Sequence, residues 1–475
     1  MLFRVLGMLL GIFSLTLLPP IFVDFLYAEH NSHPFWVAFF ITAILGLSIW
    51  FPFRRAENEL RIRDGFLIVV LFWCVLAIFG AIPFLVSQTP EMTLTDAIFE
   101  SVSGITTTGA TVLVGLDELP HSILYYRQQL QLLGALGIII LAVAILPMLG
   151  VGGMQLFKVE TTGPLKDNKL TPRIAETAKG LWAVYLILTA ACIISYALAG
   201  MSPFDAICYG FSTMATGGFA PHDQSLGQFP NPNLKLIAIV FMLISSISFP
   251  LHFVAIRRRK LLHYFQDSEL KAFLSIILVS CLLVFLSLFF SNEAHSYLAA
   301  AFHVVSFSTT TGLVVGDYYL LPAMSPFLLL LLGIVGGCAG STTGGIKVIR
   351  LILLQKQGLR EIKRLIHPQG KFMIQFQHQP VPTKIIEAIW GFLAVYVGLF
   401  ALFLLLILLV EDDFVTAYTV VIACFSNIGP ALGAAAENYA GLHDFAKWVL
   451  SFAMLVGRLE MFTVLVLLSP VFWRH

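Results

Sequence analysis

Four short segments rich in threonine, serine and glycine contain the residues whose types and spacing could do chemistry. They are SGITTTGAT at 103–111, FSTMATGGF at 211–219, SFSTTTGLV at 306–314 and ACFSNIGPA at 423–431. In alignment, a glycine falls at the same place in all four, namely Gly109, Gly217, Gly312 and Gly429, and threonine precedes it in three. Such segments offer hydroxyl and carbonyl oxygens, which can replace the hydration shell of a cation.

A short apolar stretch leads into each of these segments, near 95–106, 203–214, 293–308 and 412–426. A bilayer core requires about 20 apolar residues per helix, so these stretches are too short to cross it. Each begins with residues that cap a helix or favour its dipole: Thr95 and Asp96, Ser202 and Asp205, Asn292 and Glu293, Asp412 and Asp413. We therefore predict four re-entrant half-helices that enter the membrane from one side and turn back.

The rest of the chain must position these segments in a membrane. Of its 475 residues, 58% are hydrophobic and 12% are charged, whereas a soluble domain has roughly 25% charged residues. Ten full spans are predicted, near 2–27, 34–53, 65–87, 128–156, 179–200, 233–256, 270–290, 326–350, 385–410 and 445–472. The span at 326–350 contains a glycine-rich stretch, so we expect a broken helix there.

The distribution of positive charge tests this topology. With the N-terminus in the cytoplasm, twenty-four of the 28 Lys and Arg residues fall on the cytoplasmic side, as the positive-inside rule requires. Both termini are then cytoplasmic. The opposite side is acidic, with residues such as Glu100, Asp205 and Asp223, and negative potential at a pore mouth concentrates cations.

These features predict an all-α integral membrane protein with two N-terminal helices and four helix–pore-loop–helix repeats around one central pore. Non-helical backbone at membrane depth is tolerated where it lines a water-filled cavity, and half-helix C-termini direct partial negative charge towards a cation. We predict the N-terminal helices at 1–60 and the repeats at 61–160, 161–265, 266–365 and 366–475.

The motifs resemble those of the TrkH/KtrB/HKT superfamily of potassium transporters, and most closely its TrkH branch from bacteria. They are TTGAT at 107–111, ATGGF at 215–219, STTTG at 308–312, NIGP at 427–430, the glycine-rich stretch 336–345 and GRLE at 457–460. The resemblance covers essentially the whole chain and implies a K⁺ filter made of Thr107, Thr108, Gly109, Ala215, Thr216, Gly217, Thr310, Thr311, Gly312, Asn427, Ile428 and Gly429.

Two filter positions carry further implications. By the resemblance, a glycine in the first segment accompanies potassium preference, so Gly109 implies potassium rather than sodium. The fourth segment has Asn427 and Ile428 where threonine is usual. We therefore expect a filter that departs from fourfold symmetry.

Two further elements are expected beneath the filter. Arg458 lies within the last span, where a charge is costly and is usually functional; by the resemblance, it is an electrostatic barrier in the pore. The alternative is a structural pair with Glu460 or another helix, although a spacing of two places Arg458 and Glu460 on different helix faces. The resemblance also implies a gating loop, made of Gly336, Gly337, Gly340, Ser341, Thr342, Thr343, Gly344 and Gly345; a glycine-kinked helix is the alternative.

The resemblance implies a multi-pass protein of the bacterial inner membrane that forms a homodimer and is gated by a cytoplasmic TrkA-like subunit that binds NAD and ATP. The basic stretches 257–260 and 360–364 could dock that subunit or simply obey the positive-inside rule. The sequence has no phosphate-binding loop or dinucleotide fingerprint. We therefore expect no enzyme activity and no cofactor bound by this chain, with K⁺ as the transported ion, and a net charge of +1 gives no indication of nucleic acid.

Two functions from different classes of transport remain open. The leading interpretation is potassium uptake through a gated, carbonyl-lined filter. The alternative is a potassium–proton or sodium-coupled symporter, because carriers also use broken helices at the membrane midplane. A membrane enzyme is a remote third interpretation, since the spans lack paired acid and base residues.

Overall fold

The structure of the protein is a computed structural model that describes residues 2–55, 62–140, 170–291, 296–377 and 379–474. It confirms the predicted all-α membrane fold, with two N-terminal helices followed by four repeats around a central pore. The N-terminal unit consists of α1 (Leu2–Leu15) and α2 (Leu18–Tyr27), which together form one span, and of α3 (His33–Phe53).

Each repeat has a long helix, a half-helix and a return helix. The first repeat comprises α4 (Ile62–Gly80), α5 (Ile82–Val86), α6 (Leu94–Ile105) and α7 (His121–Ile140). The second comprises α8 (Leu170–Leu198), α9 (Pro203–Ala215), α10 (Pro232–Ser246) and α11 (Phe249–Arg258). After α12 (Leu262–Gln266), the third comprises α13 (Ser268–Ser291), α14 (Tyr297–Ser308), α15 (Met324–Val335) and α16 (Val348–Ile366). The fourth comprises α17 (Thr383–Ile407), α18 (Phe414–Phe425), α19 (Asp444–Arg458), α20 (Met461–Leu468) and α21 (Pro470–Trp473).

Strand structure among the described residues is limited to one small antiparallel hairpin between α16 and α17. Its strands are β1 (Gln375–Phe376) and β2 (Gln379–Pro380). Side chains of the hairpin pack with both neighbouring helices in an apolar cluster made of Ile349, Leu353, Ile374, Phe376, Ile385, Ile386 and Ile389. The hairpin is therefore part of the folded unit that contains α16.

The half-helices α6, α9, α14 and α18 begin at residues that cap them. The Thr93, Ser202 and Ser296 hydroxyls and the Asp413 carboxylate accept hydrogen bonds from backbone N–H groups in the first turn of each helix. Ser202 and Asp413 are predicted starts. Asp96 lies in the first turn of α6, as predicted, but the cap is Thr93 rather than Thr95. The predicted start of α14 at Asn292 is wrong, because Ser296 caps that helix. Residues 292–295 lie outside the described part of the chain.

The return helices differ from the predicted full spans. Six helices of the described residues are long and apolar enough to cross a membrane, or up to eight if each bent pair counts as one span. The predicted spans at 233–256 and 445–472 are wrong as continuous helices, since they bend by 93° before α11 and by 112° after Arg458. Pro250 lies in the first turn of α11, where its missing N–H costs no bond, and Glu460 has a positive φ of 55°.

The predicted break in the span at 326–350 is confirmed, because α15 ends at Val335 and α16 begins at Val348. For the predicted span at 128–156, α7 ends at Ile140 and the remainder lies outside the described residues. The breaks after Ser246, Val335 and Arg458 lie near half-helix ends. The Ser245 hydroxyl contacts the Thr213 carbonyl at 3.5 Å, the Gly345 N–H donates to the Ser426 carbonyl at 3.1 Å, and a Cβ on Gly457 would lie 2.0 Å from the Phe425 carbonyl oxygen. That arrangement brings irregular backbone and charged residues close to the half-helix ends.

Candidate ion pathway

The four half-helices end in turn segments with the same backbone course, which are residues 106–110, 215–219, 309–313 and 426–430. The second residue of each has a left-handed φ between 50° and 54°; these residues are Thr107, Thr216, Thr310 and Asn427. The following N–H donates to the carbonyl five residues earlier, at 2.8–3.0 Å, in the pairs Thr108–Ser103, Gly217–Ser212, Thr311–Ser306 and Ile428–Ala423. A glycine with φ between 77° and 95° comes next: Gly109, Gly218, Gly312 and Gly429.

This shared course corrects the alignment of the second segment. The residue that corresponds to Gly109 is Gly218, whereas the sequence alignment placed Gly217 there. Likewise Thr216, and not Ala215, corresponds to Thr107. The structural register also matches the helix starts, because the capping residue and the left-handed residue have the same separation in all four segments: Thr93 and Thr107, Ser202 and Thr216, Ser296 and Thr310, Asp413 and Asn427. Two adjacent glycines leave the sequence alignment undetermined by one residue.

The four turn segments form a closed ring. A Cβ atom on Gly109 would lie 2.2 Å from the Gly217 carbonyl oxygen, and one on Gly218 would lie 2.4 Å from that of Thr311. One on Gly312 would lie 2.0 Å from the Ile428 oxygen, and one on Gly429 would lie 2.6 Å from the Thr108 oxygen. Each segment therefore packs on the next, and the fourth returns to the first. Only residues without a side chain fit at these positions.

The same four glycines line a cavity on one side of the ring, which we call the vestibule. Its volume is ≈ 730 Å³. The vestibule is also bordered by the loops that follow the turn segments, including Asp223, Asp317 and Glu437. The backbone of four segments thus faces a cavity that is large enough to hold many water molecules. Non-helical backbone is tolerated at membrane depth in such a setting.

Side-chain hydrogen bonds show where the ring departs from fourfold symmetry. In the first and third segments, a pair of threonine hydroxyls lies 2.7 Å apart: Thr106 with Thr108, and Thr309 with Thr311. In the fourth, the Asn427 amide donates to the Thr108 hydroxyl at 2.9 Å and to the Met454 carbonyl at 3.0 Å. The Gln131 amide donates to the Gly217 carbonyl at 2.6 Å. Asymmetry is therefore present in the second segment as well as in the predicted fourth.

An ion pair that is fully buried supports the vestibule side of the ring. Arg127 of α7 donates to the Glu100 carboxylate of α6 at 2.7 Å, and both side chains are 0% exposed. Arg127 also donates to the Thr111 hydroxyl and to the Ala220 carbonyl, each at 3.0 Å, so it joins the first and second segments. The removal of one partner from a buried pair of this kind is strongly destabilising, because it leaves the other charge uncompensated.

The pair corrects the assignment of Glu100 to an acidic pore mouth. Its carboxylate also accepts hydrogen bonds from Thr111 and from the Val112 N–H, so its charge is balanced inside the protein. Sequence reasoning missed this support. The sequence did contain a signal for it, because Arg127 is one of the four Lys and Arg residues that the predicted topology does not place on the cytoplasmic side.

A histidine joins two elements at the rim of the vestibule. The ring nitrogens of His222 contact the Asp117 carboxylate on one side and the Asp205 carboxylate, at 3.0 Å, on the other. Because both partners are acceptors, the imidazole needs a proton on each nitrogen. The pKa of His222 is raised above its ordinary value of 6.5, chiefly by the hydrogen bond to Asp205.

We expect His222 to make stability depend on pH. A pKa that is raised on folding gives stability that is fully present below 6.5 and is lost as the pH rises through the folded pKa. The melting temperature of the purified protein should exceed that of His222→Gln at about pH 5.5, and the difference should shrink towards about pH 9. A difference that stays constant over this range would show that the histidine contributes through packing alone.

The predicted gating loop lies against the other side of the ring. Residues 336–347 are not helical, and Gly336, Gly340 and Gly345 have positive φ values of 70–74°, so the alternative of a merely kinked helix is wrong. The Gly344 N–H donates to the Thr310 hydroxyl at 2.6 Å, and the Gly345 N–H donates to the Ser426 carbonyl at 3.1 Å. The loop therefore contacts the third and fourth turn segments directly.

The remaining loop residues bind the second repeat or brace the loop itself. The Thr342 hydroxyl contacts the Met214 and Ser245 carbonyls, each at 3.3 Å. Thr343 accepts from the Gly337 N–H at 3.2 Å and pairs with the Ser341 hydroxyl at 2.8 Å. A Cβ on Gly344 would lie 2.2 Å from the Ser426 carbonyl. The loop is thus packed tightly against the ends of three half-helices.

Arg458 ends α19 beside this loop. Its side chain is 4% exposed, and its Nε and Nη2 atoms have no hydrogen-bond partner among the described residues. With Lys347, Arg350 and Glu460 it lines a cavity of ≈ 70 Å³, whose wall includes Ser341, Thr343, Gly344 and Gly345. Three cationic side chains and one carboxylate therefore surround a small space next to the loop.

The possible pair between Arg458 and Glu460 does not form. Glu460 instead accepts from the Arg350 guanidinium at 2.8 Å, and Arg350 lies over the Phe392 ring at 4.1 Å. Among the residues that the structure describes, no carboxylate contacts the Arg458 charge, and an isolated charge is costly at membrane depth. A cost of this kind points to a role for the charge itself.

Within the described residues, no group of three or more His, Cys, Asp or Glu side chains could hold a metal ion. The ring offers a cation backbone carbonyl and hydroxyl oxygens. Oxygens of this kind bind hard, weakly charged cations during transit rather than retaining a resident metal.

Comparison with known proteins gives consistent matches. A family model described as "TrkH: Cation transport protein" matches residues 31–474. The chain is 51% identical to the Trk system potassium uptake protein TrkH of Halomonas elongata, over 100% of this chain and 99% of that protein. It is 48% identical to the protein of the same name from Escherichia coli K12, over 99% of each. The crystal structure of the potassium transporter TrkH from Vibrio parahaemolyticus matches with a TM-score of 0.93 and 47% identity, over 100% of this chain and 99% of that one.

Proposed function

The chain belongs to the TrkH family of cation transport proteins, and we propose on this premise that it takes up potassium across the bacterial inner membrane. Its relatives that are named as potassium uptake proteins match along their whole length. The chain is a multi-pass membrane protein with several apolar helices. The proposal concerns the ion, the route through the protein and its control.

The observation that carries the proposal is the closed ring of four turn segments. Each glycine of the ring packs on a carbonyl of the next segment, so four strands of backbone face one axis. Rings of carbonyls replace the hydration shell of K⁺, and the C-termini of four half-helices place partial negative charge at the same point. We assign the filter to residues 107–109, 216–218, 310–312 and 427–429, with Ala215 just before the second segment.

The gate is assigned to the loop and to Arg458. In the described conformation, the loop is hydrogen-bonded to the ends of the half-helices, and the cavity beside it is lined by three cationic side chains. A potassium ion that left the filter would meet packed backbone and positive charge. Conduction therefore requires the loop to move, and Arg458 sets an additional electrostatic barrier.

The same assignment orients the protein. The vestibule faces outward, both termini are cytoplasmic, and α16 leads from the loop along the cytoplasmic surface. That helix ends in basic residues that include Lys363 and Arg364. We propose that a ring-shaped cytoplasmic subunit of the TrkA type, which binds NAD and ATP, controls the loop through this surface, and that the protein functions as a homodimer.

Potassium and sodium fluxes in proteoliposomes test the proposed function. We expect potassium flux that exceeds sodium flux, proceeds without an imposed proton gradient and changes when the cytoplasmic subunit is added with nucleotide. Potassium flux that appears only with a proton or sodium gradient would favour a symporter instead. Equal potassium and sodium fluxes would contradict the assigned selectivity.

A further inference from the structure

Glu269 holds the gating loop at both of its ends. The side chain lies in the first turn of α13 (Ser268–Ser291) and is 6% exposed. Its Oε1 atom accepts a hydrogen bond from the Ala339 N–H at 2.8 Å and another from the Ile349 N–H at 3.1 Å. Ala339 lies in the part of the loop that follows α15, and Ile349 is the second residue of α16, directly after the loop. One carboxylate oxygen therefore joins the start of the loop to the start of α16.

The helix after the loop depends on this carboxylate. The first N–H groups of a helix have no partner within it and are usually satisfied by a capping side chain. The residue before α16 is Lys347, which supplies no side-chain cap, and the first turn of α16 contains no acidic residue. Glu269 provides an acceptor and a negative charge at this N-terminus from a different helix, where the dipole favours it.

Through these hydrogen bonds, the closed position of the loop depends on α13. Between Ala339 and Ile349, the residues Gly344 and Gly345 bind the ends of the half-helices. The second anchored residue, Ile349, also belongs to the apolar cluster that joins α16 to the hairpin and α17. A displacement of α16 would therefore pull on Ile349 and must break its bond to Glu269 before the loop can leave the ring.

We propose that Glu269 is the positioning residue that latches the gating loop in its closed conformation. This inference rests on the proposed function, because it assumes that the loop controls ion flux. A charged acceptor that loses its two buried donors on opening adds to the free energy of opening. Without the carboxylate, the closed conformation loses that advantage and the open population increases.

The test is potassium flux through the full-length purified protein in proteoliposomes without the cytoplasmic subunit. We expect Glu269→Ala to raise flux at least about tenfold, because the closed conformation loses both charge-assisted hydrogen bonds to this carboxylate. Glu269→Gln keeps the size and one acceptor oxygen but loses the charge, so it should give an intermediate rise. The ratio of potassium to sodium flux should stay at the wild-type value, because neither variant touches the filter.

A carboxylate two residues earlier supplies the matched control. Asp267 accepts from the Leu270 N–H at 2.6 Å and from the Gln377 amide at 3.2 Å, and neither bond reaches the loop. Asp267→Asn should therefore leave flux at the wild-type level. A purely structural role for Glu269 would lower the melting temperature of Glu269→Ala without raising flux.

Two results decide against the latch. If Glu269→Gln elutes as a folded protein and conducts at or below the wild-type level, the latch is overturned, whether or not Glu269→Ala folds. The proposed function is judged separately from the wild-type protein with its cytoplasmic subunit. Wild-type flux without any rise in the Glu269 variants refutes the latch alone, whereas no wild-type potassium flux refutes the function on which it rests.

Discussion

Gly218→Ala should reduce potassium flux strongly, whereas Gly217→Ala should reduce it far less. Gly218 has a φ of 82°, and a Cβ there would lie 2.4 Å from the Thr311 carbonyl oxygen of the next segment. Both the backbone conformation and the neighbouring carbonyl would have to change. Since that carbonyl is part of the ring, the substitution disturbs the second and third segments together.

Gly217 has different surroundings. Its φ is not positive, and a Cβ there would meet the end of the Gln131 side chain at 2.4 Å. A side-chain amide can rotate away, although it would lose its hydrogen bond to the Gly217 carbonyl. We expect about a hundredfold loss of flux for Gly218→Ala, as for a barrier raised by roughly 3 kcal/mol, and about a fivefold loss for Gly217→Ala.

The measurement is potassium flux in proteoliposomes, with Gly115→Ala as the matched control. Gly115 also has a positive φ, of 71°, but a Cβ there would have no atom within 4 Å. Gly115→Ala therefore measures the effect of a side chain at a left-handed φ alone, which lowers the free energy of unfolding by about 1 kcal/mol. A larger loss for Gly217→Ala than for Gly218→Ala would support the original sequence alignment and contradict the ring described here.

The contrast between these two glycines shows what sequence could predict. The half-helices follow from local signals, namely a short apolar stretch, a capping residue and a glycine-containing end. The broken helix at 336–347 likewise follows from its composition. The register of the second segment depends instead on which residue after α9 takes the left-handed conformation, and this is Thr216 rather than Ala215. An alignment on glycine positions cannot distinguish the two registers when two glycines are adjacent.

Contacts between distant residues were also beyond sequence reasoning. Glu100 and Arg127 are 27 residues apart, and the sequence predicts Glu100 on the acidic outer side, but the two form a buried pair that joins two repeats. Glu269 lies 70 and 80 residues from its partners in the loop. A buried charge in a membrane protein is costly unless it is paired, but only the packing of the repeats shows whether it is paired and with which residue.

Replacement of Arg458 by glutamine should raise potassium flux about tenfold. Two unit charges about 6 Å apart repel by roughly 3 kcal/mol at an effective dielectric constant of 20, so a guanidinium beside the pathway strongly disfavours a passing cation. The rise in flux should be smaller than this repulsion alone implies, because Lys347 and Arg350 line the same cavity and the loop still blocks the ring. Glutamine retains hydrogen-bonding capacity, which limits the cost to folding.

Arg458→Lys is the matched control, because it retains the charge and changes the shape. If the barrier is electrostatic, the lysine variant should conduct like the wild type while the glutamine variant conducts more. If Arg458 serves to pack α19 against the loop, both variants should raise flux and lower the melting temperature. The comparison of the two variants therefore distinguishes an electrostatic role from a packing role. The observation that Nε and Nη2 of Arg458 have no partner among the described residues does not make that distinction by itself.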